Sequence, residues 1–584
     1  MRNITLTVSD LLNQAVRSYQ AGHLDEAEGV CRAILRVDAN HVEALYLLGV
    51  VQSRLGRSKE ALASYDRVLV IKPNYAQVLT NRGAALWDLK RFEDALASHD
   101  KALAIKPDFA EALNNRGVTL QVLERLEDAL VSYDKALAIK PDFAEALNGR
   151  GLTLQELKRF EDALVSYDKA LAIKPDFAWA LYNRGNILRE LKRLEDALLS
   201  YDKALAIKPD YTEALNNRGV TLQDLKRFDE AMASYDQAIA LKPNNADALL
   251  NRGLCKLLLG HYQEGWQDYE WRWGTSGFLD KRPKINAATW EGEDLAGRRL
   301  IVFSEQGLGD TIQFARFLPQ LVQRKAKVTF LTQAKLVRVL RPLIKDIDVV
   351  SATDDQDAFD FQCALMGLPL RFNTELDTIP AKTPYLSAEP DRMARWKERI
   401  GAHGFKIGIG WQGNPNGQDS YKDIPLEEFI PLTRIPQVRL ISLQYREGVD
   451  QLARLPADVK IETLGDDFNS GPDAFIDTAA VMANLDLIIS SCTSIPHLAG
   501  ALGRPTWVVL KHVPDWRWLL DREDSPWYPT MRLFRQPERD DWTSVFSKIE
   551  RELRSLLNAK ADAIVLRELN RVEETAPTSK CPDT

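Results

Sequence analysis

Residues 110–143 read AEALNNRGVTLQVLERLEDALVSYDKALAIKPDF, and residues 144–177 follow without a gap as AEALNGRGLTLQELKRFEDALVSYDKALAIKPDF, agreeing at 29 of 34 positions. A strict period of 34 residues therefore governs this stretch. Carried outward, position 8 of the unit is Gly49, Gly83, Gly117, Gly151, Gly185, Gly219 and Gly253, position 20 is alanine from Ala27 to Ala231, and position 32 is proline from Pro73 to Pro243. Proline lacks an amide hydrogen and disfavours helix in the residue before it, so each unit reads as two helices and a stop. Small residues at positions 8, 20 and 27 let the paired helices approach closely. Tyr65, Tyr133, Tyr167, Tyr201 and Tyr235 at position 24 are expected to fill the space between units.

This pattern resembles the tetratricopeptide repeat (TPR), with seven units over 8–245 and a partial eighth in a connector over 246–298. The resemblance implies an α-solenoid, a TPR superhelix whose groove holds a protein or peptide segment. Asn81, Asn115, Asn183, Asn217 and Asn251 at position 6 form a column of amides. Amides donate and accept, so the column suits an extended peptide backbone, and it also suits a purely structural role. Six arginines at position 7, Arg82 to Arg252, and six aspartates at position 25, Asp66 to Asp236, read as regular pairs along the stack or as a ligand-binding strip.

The whole chain has 584 residues, 45% hydrophobic and 27% charged, with net charge −7. That composition is globular and offers no basic field for nucleic acid. Five scattered cysteines without a C-x-x-C pair support neither a disulfide framework nor a zinc site, which points to a reducing, cytoplasmic setting. The opening MRNITLTVSDLLNQAVRSYQ lacks the basic and apolar regions of an export signal, and no run of 18 apolar residues suggests a membrane span.

Beyond residue 260 the text changes. Trp266, Trp271 and Trp273 are expected to be core packing in a last repeat helix. Apolar runs at 299–304, 327–332, 347–351, 406–411, 439–443, 485–489 and 505–510, separated by helix-length segments, predict two parallel sheets covered by helices.

Three stretches could carry chemistry. In SEQGLGDTIQF, from 304, Gly307 and Gly309 permit a tight turn with exposed amides, and Asp310 lies near the start of a helix. In IISSCTSIPHLAGALGRP, from 488, Thr493 and Ser494 precede Pro496 at a helix opening that suits a diphosphate, with His497 beside it. The loop from 409, IGWQGNPNGQDSYKDIPL, carries Lys422, a surface residue or a phosphate contact. Neither a dinucleotide fingerprint nor a P-loop is present. Asp355 and Asp357 form a lone D-x-D in a polar run that reads as a surface loop.

Together these motifs, GLGDT, GIGWQGNP…YKDIPL and IISSCTSIPHLAGALGRP, resemble the heptosyltransferase-like glycosyltransferases of family 9. The resemblance implies a GT-B fold of two Rossmann-like lobes, 299–395 and 396–557. Residues 541–557 read as a terminal helix returning across the domain junction, and the polar, proline-bearing end, ETAPTSKCPDT, predicts a disordered tail, set at 558–584. It implies inverting transfer from a nucleotide-diphosphate sugar without a metal or other cofactor. Asp310 matches the general base, with Glu305 in reserve. Lys422, Gln444, Thr493, Ser494 and His497 match the nucleotide-sugar side, with Gly307 and Gly309 in the facing turn. Cys492 stands where the family has an aspartate, which leaves open a degenerate, non-catalytic scaffold. A transferase acting on lipid or polysaccharide is the third reading. The solenoid and the lobes together parallel the architecture of TPR-bearing O-GlcNAc transferases, which belong to another family.

Overall fold

The computed structural model describes residues 7–575 other than 280, 344–345, 354–357, 414–422 and 472–473, with the backbone alone at 474 and 560–575. The chain divides into two compact units, Met1–Leu241 and Lys242–Thr584.

The first unit is seven helix pairs, from Val8–Gln20 with Leu24–Val37 to Thr212–Asp224 with Phe228–Leu241. Second helices end at position 30, and the lysine before each proline is extended, as at Lys140 with φ −129° and ψ 87°. Glycine at position 8 is required by closeness rather than by backbone angle: a Cβ on Gly117 would lie 2.7 Å from the Tyr133 ring, and on Gly185 2.5 Å from Tyr201. The tyrosines thus pack mainly between the two helices of their own repeat, not only between repeats, although Tyr133 also reaches Gly149 of the next. Position 15 has positive φ throughout, glycine at Gly22 and Gly56 but Lys90, Glu124, Lys158, Lys192 and Lys226 in the middle repeats.

The arginine and aspartate columns meet. Arg82, Arg116, Arg150, Arg184 and Arg218 each donate through Nε to the aspartate 16 residues back at 2.6–2.7 Å, and through Nη1 to the serine 16 residues ahead at 2.5–2.7 Å. Each guanidinium clips one repeat to the next. The aspartates are about half exposed, so each ion pair contributes only about 0.2–1 kcal/mol, and the effect comes from repetition.

The second unit opens with the helix pair Ala246–Leu258 and Tyr262–Tyr269. Its first sheet holds β1 (Ala288–Thr289), β2 (Arg299–Phe303), β3 (Lys327–Leu331), β4 (Ile347–Val350) and β5 (Phe361–Ala364), in the order β1-β5-β2-β3-β4. Its second holds β6 (Phe405–Gly410), β7 (Val438–Ser442), β8 (Ile461–Glu462), β9 (Leu487–Ser491), β10 (Thr506–Leu510) and β11 (Met531–Arg535), in the order β11-β10-β9-β6-β7-β8. Every pairing within the sheets is parallel, and the central strands are apolar on both faces, as parallel sheets covered by helices require. Strand order reverses between β2 and β5 in the first sheet and between β6 and β9 in the second. Crevices for ligands form at such reversals, beyond the carboxyl ends of the strands.

Three expectations need correction. Trp266 is buried, but Trp271 is 40% exposed, because the short 3-10 turn Glu270–Gly274 turns Arg272 inward and leaves Trp271 on the outer face. The last helix, Trp542–Thr575, packs Val545, Phe546, Ile549 and Leu553 against the second sheet rather than returning across the lobe junction. It also continues through 558–575, so the tail expected to be disordered has a helical backbone there. Ala, Leu, Glu and Arg dominate that stretch, and no glycine or proline interrupts it before Pro577. Among the described residues no helix is long and apolar enough to cross a membrane.

Two repeats break the tyrosine column, the first of them with Cys31. His99 takes that place in the third unit, 1% exposed, with its ring against Gly83 and no partner for Nδ1. Burial pushes its pKa down to about 4. A histidine depressed in the folded state leaves stability intact above its unfolded pKa, and stability falls as pH drops from about 6.5 towards 4, by up to about 3 kcal/mol. The His99→Tyr variant, which restores the residue of the neighbouring repeats, should flatten this dependence. Thermal melts at neutral pH and near pH 4.5, followed by circular dichroism, test it.

Candidate functional site

Two loops singled out by sequence lie at the two strand-order reversals of the second unit. The segment Ser304–Gly309 leaves β2, and the helix Leu308–Phe314 follows at once with Gly307 as its N-cap. Asp310, at the third helical position, accepts from the Gly307 amide through Oδ2 at 3.0 Å, which fixes its carboxylate against the turn. In the second sheet, β9 runs into Cys492, Thr493 and the helix Ser494–Ala501. Thr493 is the N-cap, and its hydroxyl accepts from the Ile495 amide at 3.4 Å.

These two turns face each other. A Cβ on Gly309 would sit 2.9 Å from His497 Cδ2 and 3.2 Å from Ser494 Cα, so the first lobe's turn rests directly on the second lobe's helix start. Only glycine fits. The 3-10 turn Trp516–Trp518 completes the cluster. Asp515 caps it by accepting from the Arg517 amide at 3.0 Å. Arg517 then donates to Asp310 Oδ1 at 2.5 Å, to Asp515 at 2.9 Å and to Gln313 at 2.8 Å. Trp518 donates from Nε1 to Cys492 Sγ at 2.9 Å. One turn therefore touches both loops.

Burial works against the Arg517 charge, but Asp515 and Asp310 outweigh it and raise its pKa, so the guanidinium stays charged. Asp310 is consequently a carboxylate with one oxygen on a backbone amide and the other on a buried cation. The role of Arg517 was missed from sequence because its partner lies 207 residues away in the other lobe. Its only local signal is the D-x-R spacing of Asp515 and Arg517.

The other sequence-derived residues fall as follows. Glu305 is buried, accepting through Oε1 from Arg272 and from the Met366 amide, both at 3.2 Å, while Oε2 has no hydrogen-bond partner. Burial raises its pKa to about 7 against the pull of Arg272. It ties the β2 and β5 loops together and is closed to solvent, which argues against a reserve base. His497 is 4% exposed, stacked on Trp518 at 5.5 Å with Nδ1 3.2 Å from the Tyr528 hydroxyl, so it supports the helix start from behind. The Gln444 amide bridges backbone, accepting from Trp411 and Gln412 and donating to the Gln412 carbonyl at 2.8 Å. Lys422, Asp355 and Asp357 lie outside the described residues. A shallow pocket beyond β9 and β10 is lined by Cys492, Lys511, Pro514 and Asp515. In the first unit, Asn81 donates to the Tyr46 hydroxyl, Asn183 to Asn148 and Asn217 to Tyr182, each reaching the preceding repeat at 3.1–3.2 Å. Asn115 accepts from Asn114 at 3.3 Å. Asn251 lies within the first helix of the second unit's pair, Ala246–Leu258, half-buried.

Tetratricopeptide repeat profiles match residues 12–76, 76–109, 110–143, 144–177, 166–198, 212–245 and 234–267, and a TPR repeat profile matches 185–226. The chain carries these repeats from residue 12 to residue 267. Protein FlbA of Caulobacter vibrioides is 29% identical over 324 residues, 51% of this chain and 53% of that protein. The chain thus spans about half the length of this curated relative. Among solved structures, YrrB, described as a TPR protein with an unusual peptide-binding site, is 24% identical over 32% of this chain and 95% of its own, with a TM-score of 0.28. A tetratricopeptide repeat protein of Parabacteroides merdae is 20% identical over 42% of this chain and 98% of its own, with a TM-score of 0.36. PilW, a type IV pilus biogenesis factor, is 24% identical over 35% and 96%, with a TM-score of 0.34.

Gly309→Ala should force the lobes apart by a few tenths of an ångström or more and destabilise the second unit by about 1–3 kcal/mol. Urea denaturation of the full chain and of the variant measures this, and an unchanged midpoint would remove the contact from the account.

Proposed function

We propose that this chain is an inverting, metal-independent glycosyltransferase that uses a nucleotide-diphosphate sugar and holds a protein acceptor on its repeats. The observation that carries this reading is the meeting of the Gly307–Asp310 turn with the Thr493–Ser494 helix start at the strand-order reversals of two parallel sheets. On this reading the diphosphate lies at the free amides of the Ser494–Ala501 helix, where the dipole and backbone donors favour an anion. The acceptor hydroxyl attacks the anomeric carbon as the bond to the diphosphate breaks, the leaving group takes the bonding pair, and Asp310 takes the proton. Arg517 holds Asp310 as an oriented carboxylate, and preorganisation of this kind acts without moving charge during the reaction.

The contrasting reading, a non-catalytic scaffold with a degenerate sugar-nucleotide module, draws on the same cluster. A carboxylate already accepting from a buried guanidinium has one lone pair fewer for a hydroxyl, and the Cys492 thiol is held by Trp518.

The two readings separate on incubation with a panel of nucleotide sugars, following hydrolysis and transfer by mass spectrometry. The transferase reading expects turnover that survives chelation of divalent cations and falls by about 10²–10⁴ in Asp310→Asn. A melting curve checks that this variant remains folded. Absence of turnover with every donor, or an Asp310→Asn variant as active as the parent, leaves the scaffold.

A further inference from the structure

The repeats are near copies, so a repeat that differs at chosen positions is informative. The first helix of the sixth repeat, AWALYNRGNILRE over 178–190, keeps the packing residues Leu181, Arg184, Gly185 and Leu188 of its neighbours. It differs from both flanking repeats at position 2 (Trp179), position 5 (Tyr182), position 9 (Asn186), position 10 (Ile187) and position 12 (Arg189). All but Ile187 reach solvent to some degree. Trp179 stands where Glu145 and Glu213 stand in the flanking repeats, and it is 55% exposed.

The altered residues form a braced surface. Tyr211 packs in tilted contact against Tyr182 and Trp179, with ring centroids 4.9 Å and 5.3 Å apart. Asn217 donates to the Tyr182 hydroxyl at 3.2 Å and to Asn186 at 2.9 Å, and the Tyr201 hydroxyl donates to Asn186 at 2.7 Å. Such bracing holds the indole in place before any partner arrives, which lowers the ordering cost of binding. Nothing in the folding of the repeat needs a tryptophan here, since glutamate serves on either side and glutamine serves at Gln77.

The surroundings are acidic. Glu145, Glu156, Glu190 and Glu213 are all exposed on the first helices of the fifth to seventh repeats, whereas Arg189 is the one cation at positions 2, 5, 6, 9, 12 and 13 there. Burial and the nearby Glu124 carboxylate push the Glu156 pKa up, while Glu145 is partly compensated by Lys174, whose Nζ lies 3.3 Å from Oε1. The indole already attracts one ammonium, with Lys208 Nζ 5.7 Å from its ring centroid, and most of the ring remains open.

We propose that this face of the sixth repeat is the anchor point for an extended basic polypeptide segment, one of whose lysine or arginine side chains packs on Trp179 while the flanking carboxylates pair with its neighbours. A half-exposed indole with Glu145 and Glu213 at the same position of the flanking repeats suits a cationic side chain through the ring quadrupole and through charge. This names the chemistry of the partner and rests on the reading of the repeats as a polypeptide holder. It does not depend on sugar transfer.

Fluorescence anisotropy with the full-length chain tests it, using short fluorescein-labelled peptides of alternating Arg-Ser, Glu-Ser and Gly-Ser. The Arg-Ser peptide should bind best, weaken with added salt, and lose affinity by about tenfold or more in Trp179→Gln. Trp87→Gln, at an exposed tryptophan of the third repeat where the fourth, fifth and seventh repeats carry glutamine, should bind as the parent does. Equal binding of the three peptides, no binding of any, or equal loss in both variants overturns the proposal. Because the readout is binding, its failure leaves the transferase reading intact, and an absence of sugar-nucleotide turnover, or an Asp310→Asn variant as active as the parent, leaves this one intact.

Discussion

A guanidinium stripped of water by burial holds the lobed unit together. Arg517 stays charged because Asp310, Asp515 and Gln313 surround it, and Asp310 belongs to the opposite lobe. Removing one partner of such a buried pair costs about 3–5 kcal/mol, since the remaining charge is left without water or counter-ion. The pair therefore fixes the spacing of the lobes, and with it the distance from the first switch-point turn to the helix start it faces. Gly309 sets the same distance sterically. Arg316 adds a third tie, donating to the Trp527 carbonyl at 2.5 Å and to the Tyr385 hydroxyl at 3.1 Å with its charge over the Tyr528 ring. These contacts make the crevice a product of the junction rather than of either sheet.

The opening helix pair of the second unit bears on that junction too. Trp266 packs edge-on to Phe314 and Trp516, and Tyr262 stacks on Trp527. Phe314 ends the helix that carries Asp310, and Trp516 precedes Arg517. An aromatic cluster from a repeat-like helix thus buttresses both members of the central ion pair. Asp268, which receives Arg252 at 2.7 Å and Lys256 at 2.9 Å, holds the helix pair itself closed.

Sequence made the solenoid legible down to individual pairs, because each repeat sees only its neighbours and so writes the same environment every 34 residues. The Arg–Asp columns could be paired on paper for that reason. Seven strands were legible from their apolar runs. β1, β5, β8 and β11 were not: Ala288–Thr289 and Ile461–Glu462 are two residues long, Phe361–Ala364 contains a glutamine, and MRLFR in β11 alternates with charge at a sheet edge. The candidate loops were legible as glycine and Ser/Thr turns after strands. What could not be read was their meeting, since Asp310 with Arg517 and Gly309 with His497 are long-range contacts with no periodic signature. His497 and Gln444 carry the residue types of ligand contacts, yet their polar groups serve the protein's own packing.

The reach of the arginine clips has a consequence for how the solenoid could change length. Each contact extends 16 residues back and 16 ahead, so excising residues 144–177 would bring Arg184 opposite Asp134, in the place Arg150 now holds, with Ser200 on its other side. The join would fall between Phe143 and Ala178, where Ala144 stood before. Loss or duplication of one unit by in-frame recombination between the nearly identical segments would leave every seam intact. Repeat number is therefore a variable that this architecture can adjust in single steps, moving the Trp179 surface along the stack without redesigning any part of it.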